Sequence, residues 1–354
     1  MPATWCTSDI NEQMMEFHDS VTQTAKTLQR KIELKERLHK IILDCFPRCG
    51  LYIVGSSLNG FGNNSSDMDL CLMITNKDLD QRTDAVVVLN HVMNCLINSE
   101  LIRENGLKLI IAKVPILRIM FNAPYDDIIV DLNANNAVAI KNTHLLCHYA
   151  AFDWRVRPLV SVIKEWAKHR GMNDANKSSF TSYSLVLMVV HFLQCGLSKP
   201  LLPSLQKMYS KRFSEKNDVR NLQKDKPLDP PAVGEWEYDN SASLCDLLLG
   251  FLKYYAFEFD YNQHAISVRL GKRTDRAYVA GNCSTSVARS QWGCICIEEP
   301  FNLSNTAHSI HNQMIFDAIV DALKFGFAEL MTNRDLHAFL SQPPIKTVAS
   351  DTCL

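Results

Sequence analysis

The sequence lacks several features that mark common protein classes. No run of about 18 apolar residues occurs, which argues against a membrane-spanning helix. No glycine-lysine-serine or glycine-lysine-threonine triplet occurs either, which excludes a Walker-type phosphate loop. The first residues contain neither a basic segment nor an apolar one, so we expect no secretory signal.

Regularly spaced cysteines and an excess of positive charge are also missing. The twelve cysteines are scattered among apolar neighbours, so we expect reduced thiols in a cytoplasmic or nuclear protein. Lysine and arginine number 37 against 38 acidic residues, which gives a formal net charge of −1. Proteins that bind nucleic acids usually carry a clear positive excess. If the substrate is a polynucleotide, this chain alone should therefore hold it weakly.

Hydrophobic periodicity predicts an α+β fold in the first part of the chain. The length of 354 residues favours two domains. Helical spacing predicts helices over 8–43 and 80–100, and short apolar segments predict strands over 107–112, 116–121 and 128–132. Strands on both sides of a helix indicate a mixed sheet with acidic residues at its strand ends.

The rest of the chain is predicted to be mainly helical. The expected elements are helices over 154–170, 178–193 and about 306–331, an ordered apolar stretch over 244–259 and a short strand over 294–297. Residues 211–240 are charged, contain prolines and lack periodicity, which indicates an exposed excursion or a mobile loop. Residues 341–354 are expected to form a disordered tail.

The stretch Leu51–Met73 carries the clearest chemical signal. A β-branched apolar run leads into a Gly55-Ser56 turn and then into a second apolar segment that carries Asp67 and Asp69. Residues two apart on a strand share a face, so both carboxylates point the same way. Two adjacent like charges are unfavourable without a cation, and a pair of divalent ions would supply it. Gly55 would let the backbone approach a phosphate, and Ser56 would donate a hydrogen bond to it.

A third acidic residue, Asp131, lies in the apolar segment DIIVDLNANN. Taken alone, it is best explained as a structural carboxylate satisfied by backbone donors or by an arginine. Beside Asp67 and Asp69 it becomes a candidate third metal ligand. Three carboxylates on neighbouring strands suit nucleotidyl transfer, in which metal ions activate a hydroxyl and neutralise the leaving pyrophosphate. A strand-end acid pair remains an alternative, whereas the EF-hand spacing of a calcium loop is absent.

These motifs together resemble a known family. Gly55-Ser56, ten intervening residues, Asp67-Met68-Asp69 and a distant Asp131 form the pattern of the polymerase-beta-like nucleotidyltransferase superfamily. The segments GSSLNGFGNNSSDMDLCL, VDLNANNAVAIKNTHLL, RVRPLVSVIKEWAKHRGMND, SFTSYSLVLMVVHFL and EEPF resemble cytoplasmic poly(A) polymerases of the germline-development type, which are relatives of the terminal uridylyltransferases. The resemblance covers about residues 45–335, with the motifs in the same order.

The resemblance implies roles for individual positions. Asp67, Asp69 and Asp131 match the catalytic, metal-binding aspartates, and Asp131 is expected to assist deprotonation of the RNA 3′ hydroxyl. The other matched positions are expected to bind the nucleotide: Gly55, Ser56, Asn136, Asn142, Thr143, Lys164, Lys168, Ser182, Tyr183 and Asn305. Within that set the two lysines would hold the outer phosphates and Tyr183 would stack under the base. Without the resemblance, Tyr183 would be interpreted as an ordinary core residue.

The resemblance also implies substrates and a partner. The expected reaction adds AMP from ATP to an RNA 3′ end with two divalent ions, Mg²⁺ or Mn²⁺. Asn305 stands where uridylyl-transferring relatives often carry histidine, which favours ATP over UTP. No RNP-like or zinc-knuckle motif occurs. Together with the low net charge, this implies that an RNA-binding adaptor, KH-type or Pumilio-associated, forms a heterodimer with the chain and delivers the RNA.

The predicted architecture has two lobes. Residues 45–145 would form the mixed-sheet catalytic domain, and residues 1–44 and 146–340 a mostly helical central domain, with the active site in the cleft between them. Two alternatives remain open: a terminal uridylyltransferase, and a catalytically inactive scaffold of the same fold. The presence of all three aspartates argues against the inactive scaffold.

Overall fold

The computed structural model describes residues 8–222, 226–229, 231, 236 and 240–345. The chain divides into two compact units. We call residues 21–150 with 212–228 the sheet unit, and residues 1–20, 151–211 and 229–354 the helical unit. The predicted α+β class with a mixed sheet and a mostly helical part is confirmed. In the described ranges, every helix is too short or too polar to cross a lipid bilayer.

The secondary structure follows in chain order. The strands are β1 (Gly50–Val54), β2 (Met68–Met73), β3 (Ile102–Ile110), β4 (Ile116–Phe121), β5 (Ile129–Ala134), β6 (His264–Ala265) and β7 (Thr274–Asp275). The helices are α1 (Ser8–Val21), α2 (Ala25–Leu43), α3 (Ser56–Asn59), α4 (Asp84–Leu96), α5 (Ala137–Phe152), α6 (Val156–His169), α7 (Ser182–Cys195), α8 (Leu205–Met208), α9 (Leu244–Lys253), α10 (Arg276–Gly281), α11 (Thr285–Ala288), α12 (Gln313–Asn333) and α13 (Leu336–Leu340).

The sheet unit is built on a five-stranded mixed sheet with the order β1-β2-β5-β4-β3. Its central pair, β2 and β5, runs parallel, and the other neighbours are antiparallel. Side chains alternate between the two faces of the sheet along β2. Leu70 and Leu72 pack in the core that α2 and α4 cover, whereas Cys71 and Met73 pack in a smaller cluster with Ile140 of α5. Asp69 is in phase with Cys71, so it lies on the α5 face of the sheet.

The predicted helix over 8–43 is two helices. The chain breaks after α1, and Thr24 caps α2 by accepting a hydrogen bond from the Thr27 amide. Leu34, Leu38 and Ile42 of α2 pack into the core of the sheet. Residues 21–44 therefore belong to the sheet unit, although the sequence prediction placed them in the helical domain.

Several elements of the helical unit begin at later residues than the sequence predicted. α7 starts at Ser182 rather than 178, because the Thr181 side chain caps it by accepting a hydrogen bond from the Ser184 amide. In the same way the Asn312 side chain caps α12, which starts at residue 313 rather than about 306. The predicted strand over 294–297 is only a single bridge between Ile266 and Ile297. The apolar stretch over 244–259 forms α9 and a π-helical turn at Tyr254–Glu258.

Two further expectations need correction. Within the 211–240 excursion, residues 212–222 are part of the sheet unit and pack on it, since Phe213 and Val219 are buried and Phe213 contacts the ring of His148 on α5. Cys45 and Cys95 are joined as a disulfide, although the irregular cysteine spacing favoured reduced thiols. Most of the predicted 341–354 tail, from residue 346 onward, lies outside the described residues.

Candidate active site

The register of the central strands brings the three aspartates together. Asp69 of β2 is directly opposite Asp131 of the parallel strand β5. Asp67 immediately precedes β2 and is half-exposed, whereas Asp69 and Asp131 are more deeply placed. Asp69 and Asp131 lie on the α5 face of the sheet. Each is two residues before a residue on that face, Cys71 and Asn133 respectively, and side chains two apart on a strand point the same way. The two central strands therefore carry three carboxylates near their N-terminal ends, and we call the group Asp67, Asp69 and Asp131 the acidic edge.

The carboxylates strongly perturb one another. Burial, followed by the charges of Asp131 and Asp67, raises the pKa of Asp69 to about 7. Burial and the charge of Asp131 also raise the pKa of Asp67. Burial and the neighbouring like charges both disfavour the ionised carboxylates, and a bound cation would offset both effects. The site therefore favours an added cation.

Arg118 supplies part of that positive charge, and sequence reasoning missed it. It lies on β4 directly opposite Asp131. Its Nε donates to Asp131 Oδ1 at 2.8 Å and its Nη2 to Oδ2 at 2.7 Å, which is a bidentate pair. The same Nη2 lies 3.8 Å from Asp67 Oδ2. The signal was present in the sequence, because Arg118 is the single charged residue within the strand ILRIMF.

The three aspartates fit divalent metal by their chemistry, although not yet by their arrangement. Hard divalent ions prefer carboxylate oxygens, and Asp67, Asp69 and Asp131 offer six of them at one sheet edge. The described part of the chain contains no group of three or more histidine, cysteine, aspartate or glutamate side chains already arranged as a metal-binding set. Both oxygens of Asp131 accept from Arg118 instead. Asp131 would therefore serve as a ligand through the lone pairs that Arg118 leaves unused, with the guanidinium charge close to the ion.

The Gly55-Ser56 turn is held against this edge by α5. Gly55 has φ +67°, and a Cβ at this position would lie 2.6 Å from Asp69 Oδ2. The Gly55 amide donates to Thr143 Oγ1 at 2.9 Å, and Thr143 Oγ1 donates to the Ala139 carbonyl at 2.6 Å. Thr143 is buried and committed to these two bonds. The structure thus gives Thr143 a supporting role behind the turn, whereas the resemblance implied direct contact with the nucleotide.

The other predicted nucleotide-binding residues of the sheet unit are more accessible. Ser56 opens the short helix α3 and is partly exposed. Asn136 precedes α5, Asn142 lies within it, and both are partly exposed. These three side chains remain available for ligand contacts on the same unit as the aspartates.

A second basic residue that sequence reasoning missed is Lys31 of α2. It is 1% exposed, and its Nζ donates to Gln23 Oε1 at 3.0 Å, Ser57 Oγ at 3.0 Å and the Ser66 carbonyl at 2.8 Å. All three ammonium donors are thus used. Ser57 follows the Gly55-Ser56 turn and Ser66 precedes Asp67, so one buried ammonium ties down both ends of the loop between β1 and β2. Its position on the apolar stripe of α2, three residues before Leu34, was the sequence signal.

Replacing Lys31 by methionine is expected to destabilise the chain. Methionine retains most of the side-chain volume but leaves three oxygens, of which that of Ser57 is buried, without their donor, so we expect the free energy of unfolding to fall by about 1–3 kcal/mol. Urea denaturation followed by circular dichroism measures this change. Lys40→Met is the matched control, because Lys40 is exposed on the same helix. Equal stability of the two variants would show that the three hydrogen bonds of Lys31 are unimportant.

The two predicted phosphate-binding lysines lie one turn apart on α6. The side chain of Lys168 is 69% exposed and lies 3.9 Å from Glu165. Lys164 is partly exposed, and burial lowers its pKa. Residues four apart share one face of a helix, so both ammonium groups can serve one anion.

At the start of α7, Tyr183 is oriented by a buried acid. Its hydroxyl donates to Glu299 Oε1 at 3.1 Å. The other oxygen of Glu299 accepts from the amides of Phe301 at 2.7 Å and Asn302 at 2.6 Å, and burial raises the pKa of this carboxyl. Ser182 is exposed and exchanges hydrogen bonds with Asn173. The hydroxyl of Tyr183 is thus held by the EEPF motif.

Asn305 is buried, whereas direct contact with the base, its predicted role, needs an accessible side chain. It is 1% exposed. Its Oδ1 accepts from the amides of Ile297 and Ala307, and its Nδ2 donates to the carbonyls of Ser290 and Ile295. These four bonds join the segments on either side of the EEPF motif. Any influence of Asn305 on the base must act through the backbone that it holds.

The chain is similar to several known proteins. One matching family is described as "Poly(A) RNA polymerase, mitochondrial-like, central palm domain" (residues 10–151), and another as "Cid1 family poly A polymerase" (residues 243–305). The Poly(A) RNA polymerase gld-2 of Caenorhabditis elegans is 52% identical over 97% of this chain and 34% of its own length. A chain in the solved GLD-2/RNP-8 complex is 55% identical with a TM-score of 0.85, covering 95% of this chain and 99% of that one. A chain in the solved GLD-2–GLD-3 poly(A) polymerase complex is 52% identical with a TM-score of 0.76, covering 96% and 100%.

The mixed sheet and its acidic edge define the class of polymerase-beta-like nucleotidyltransferases. Within that class, the chain belongs to the GLD-2 family of poly(A) RNA polymerases. The family resemblance drawn from the motifs is therefore confirmed. The chain spans about a third of the length of the Caenorhabditis elegans relative.

Proposed function

We propose that the chain is the catalytic core of a template-independent RNA 3′-end adenylyltransferase, a cytoplasmic poly(A) polymerase acting on mRNA. The observation that carries this proposal is the acidic sheet edge, where Asp69 and Asp131 lie opposite each other on parallel strands beside the Gly55-Ser56 turn. Relatives that share this chain's fold and about half of its residues are named poly(A) polymerases. The intact aspartates argue against an inactive scaffold.

The residues of the chain would divide the work as follows. Asp67, Asp69 and Asp131 would hold two divalent ions, Mg²⁺ or Mn²⁺. Those ions would supply Lewis-acid activation of the RNA 3′ hydroxyl and neutralise charge on the departing pyrophosphate. Ser56 would donate to a phosphate oxygen, as a partly exposed hydroxyl at the start of α3 can do.

The helical unit would contribute to binding of the triphosphate and the base. Lys164 and Lys168 present two ammonium groups on one face of α6, which suits the outer phosphates of ATP. Tyr183 carries a ring whose hydroxyl is already held by Glu299, so its face can stack on a purine with little loss of conformational entropy. Asn136 and Asn142 would contact the ribose.

The choice of ATP over UTP is the most demanding part of this proposal. Asn305 replaces the histidine frequent in uridylyl-transferring relatives, and its amide bonds two carbonyls and two amides of the neighbouring backbone. The Asn305 amide donates two hydrogen bonds and accepts two, and together they hold the conformation of the surrounding backbone. Histidine has too few hydrogen-bonding atoms to replace all four bonds. We infer that the resulting pocket suits adenine.

Nucleotide choice is tested by single-turnover extension of a short RNA with Mg²⁺ and each of ATP, UTP, CTP and GTP. We expect the fastest extension with ATP. Preference for UTP would replace this proposal with a terminal uridylyltransferase. Failure to extend with any nucleotide even when RNP-8 or GLD-3 is added, in a preparation whose folding is verified by circular dichroism, would support an inactive scaffold instead.

An RNA-binding partner is the second element of the proposed function. The net charge of −1 gives little nonspecific affinity for phosphates. Solved structures pair GLD-2 with RNP-8 and with GLD-3. We propose that a comparable adaptor, KH-type or Pumilio-associated, forms a heterodimer with this chain. Tail length should increase when RNP-8 or GLD-3 is added to the chain, RNA and ATP, and equally long tails without either protein would contradict the need for an adaptor.

A further inference from the structure

Arg118 occupies the place between two of the three catalytic carboxylates. The register of β4 and β5 sets it opposite Asp131, so the contact is dictated by strand pairing and not by a flexible loop. Its Nη2 is 2.7 Å from Asp131 Oδ2 and 3.8 Å from Asp67 Oδ2. One positively charged nitrogen thus lies between oxygens of two residues that would share metal ions.

This contact uses both oxygens of Asp131. Nε bonds Oδ1 and Nη2 bonds Oδ2, so each oxygen of Asp131 can offer a divalent ion only the lone pair that Arg118 leaves unused. The guanidinium charge also repels any cation that approaches the same carboxylates. The side chain of Arg118 is 38% exposed, which leaves room for it to move toward solvent.

We propose that Arg118 competes with divalent cations for Asp131 and thereby sets the affinity of the site for metal. The inference rests on the metal-dependent function proposed above. Arg118 is a positioning residue: it acts through Asp131 and keeps the acidic edge partly neutralised until a divalent ion takes its place. Its presence makes metal binding weaker, and its loss tightens the site.

The test measures Mn²⁺ binding to the full chain without nucleotide, by electron paramagnetic resonance of the free ion. Arg118→Gln removes the charge and the bidentate pair, and we expect about tenfold tighter binding of Mn²⁺, the factor that corresponds to one lost charge-assisted pair. Arg118→Lys keeps the charge but not the fork, so its affinity should lie between those of wild type and Arg118→Gln.

The matched control is Arg30→Gln. Arg30 forms an equivalent bidentate pair with Asp127 in the same unit, at 2.6 and 2.7 Å. The Arg30→Gln variant should bind Mn²⁺ as wild type does, because Asp127 is not part of the acidic edge. Thermal melting of each variant verifies folding, and Arg118→Lys serves as the readout if Arg118→Gln does not fold.

Asp69→Asn separates the two proposals. If it leaves Mn²⁺ binding unchanged, the metal role of the acidic edge fails, and the role of Arg118 fails with it. If it abolishes Mn²⁺ binding while Arg118→Gln binds as wild type does or more weakly, only the competition by Arg118 is refuted. Tighter binding by Arg118→Gln but not by Arg30→Gln supports the inference.

Discussion

Replacing Asp69 by asparagine is expected to reduce magnesium-dependent extension of RNA by about a thousandfold or more. Asp69 lies on the central strand β2, opposite Asp131 and against the Gly55-Ser56 turn. Asparagine has the same shape but removes the negative charge that a divalent ion needs, so the loss reports chemistry rather than packing. The measurement is the rate of AMP addition to a short RNA at saturating ATP and Mg²⁺. Activity close to that of wild type would contradict the metal assignment.

The same variant is expected to be more stable than wild type in the absence of divalent ions. The pKa of Asp69 is raised from 3.8 to about 7, so the folded chain binds this proton more tightly than the unfolded chain does. The free energy of unfolding therefore falls as pH rises from 3.8 to about 7, and the full loss of stability persists at higher pH. Asparagine removes the penalty, which we expect to add on the order of 2 kcal/mol to the free energy of unfolding at pH 8 in EDTA.

Urea denaturation at pH 8 and at pH 5 checks this sign. The difference between variant and wild type should shrink at pH 5, where Asp69 is already protonated in the folded chain. A variant that is inactive but less stable at pH 8 would indicate general damage to the fold. Loss of activity with gain of stability is the combination expected of a functional carboxylate.

Replacing Gly55 by alanine is the second change with a large expected effect. The new Cβ would lie 2.6 Å from Asp69 Oδ2, and Gly55 has φ +67° and ψ −149°, a region that residues with a Cβ rarely adopt. Either the turn or the Asp69 carboxylate must move. A displacement of roughly 1 Å in a catalytic group typically lowers the rate about a hundredfold, which is the loss we expect in extension.

The control for Gly55→Ala is Gly281→Ala. Gly281 ends α10, and a Cβ there would meet no atom within 4 Å. This variant should extend RNA at the wild-type rate. If Gly55→Ala were equally active, the close approach between the turn and Asp69 would have no functional meaning.

The fold and the acidic edge follow from local patterns, which explains why both were predictable. Asp67 and Asp69 stand at the start of an apolar strand, and Asp131 stands inside another. Their apolar residues indicate that both strands are buried. The order of the motifs then identified the family, and the register of Asp69 opposite Asp131 agrees with that interpretation.

The supporting cations were not predictable in the same way. Lys31 is 36 residues before Asp67 and acts through Ser57 and Ser66. Its role depends on how α2 docks on the sheet, and the sequence prediction assigned α2 to the other domain. Arg118 depends on a register between β4 and β5 that periodicity cannot set.

Asn305 shows a different limit. Comparison of sequences marks the position but not the direction of its side chain. In the structure its amide is buried and bonds the backbone on both sides of the EEPF motif. A position that distinguishes relatives is therefore not necessarily a position that contacts the base.

The proposed reaction transfers AMP from ATP to an RNA 3′ end and releases pyrophosphate. Both products can be measured in one reaction with Mg²⁺, as the pyrophosphate released and the AMP incorporated into a short RNA. We expect one pyrophosphate for each AMP added, with neither product formed in EDTA or by Asp69→Asn. Release of inorganic phosphate or pyrophosphate without incorporation of AMP, or incorporation that persists in Asp69→Asn, would contradict it.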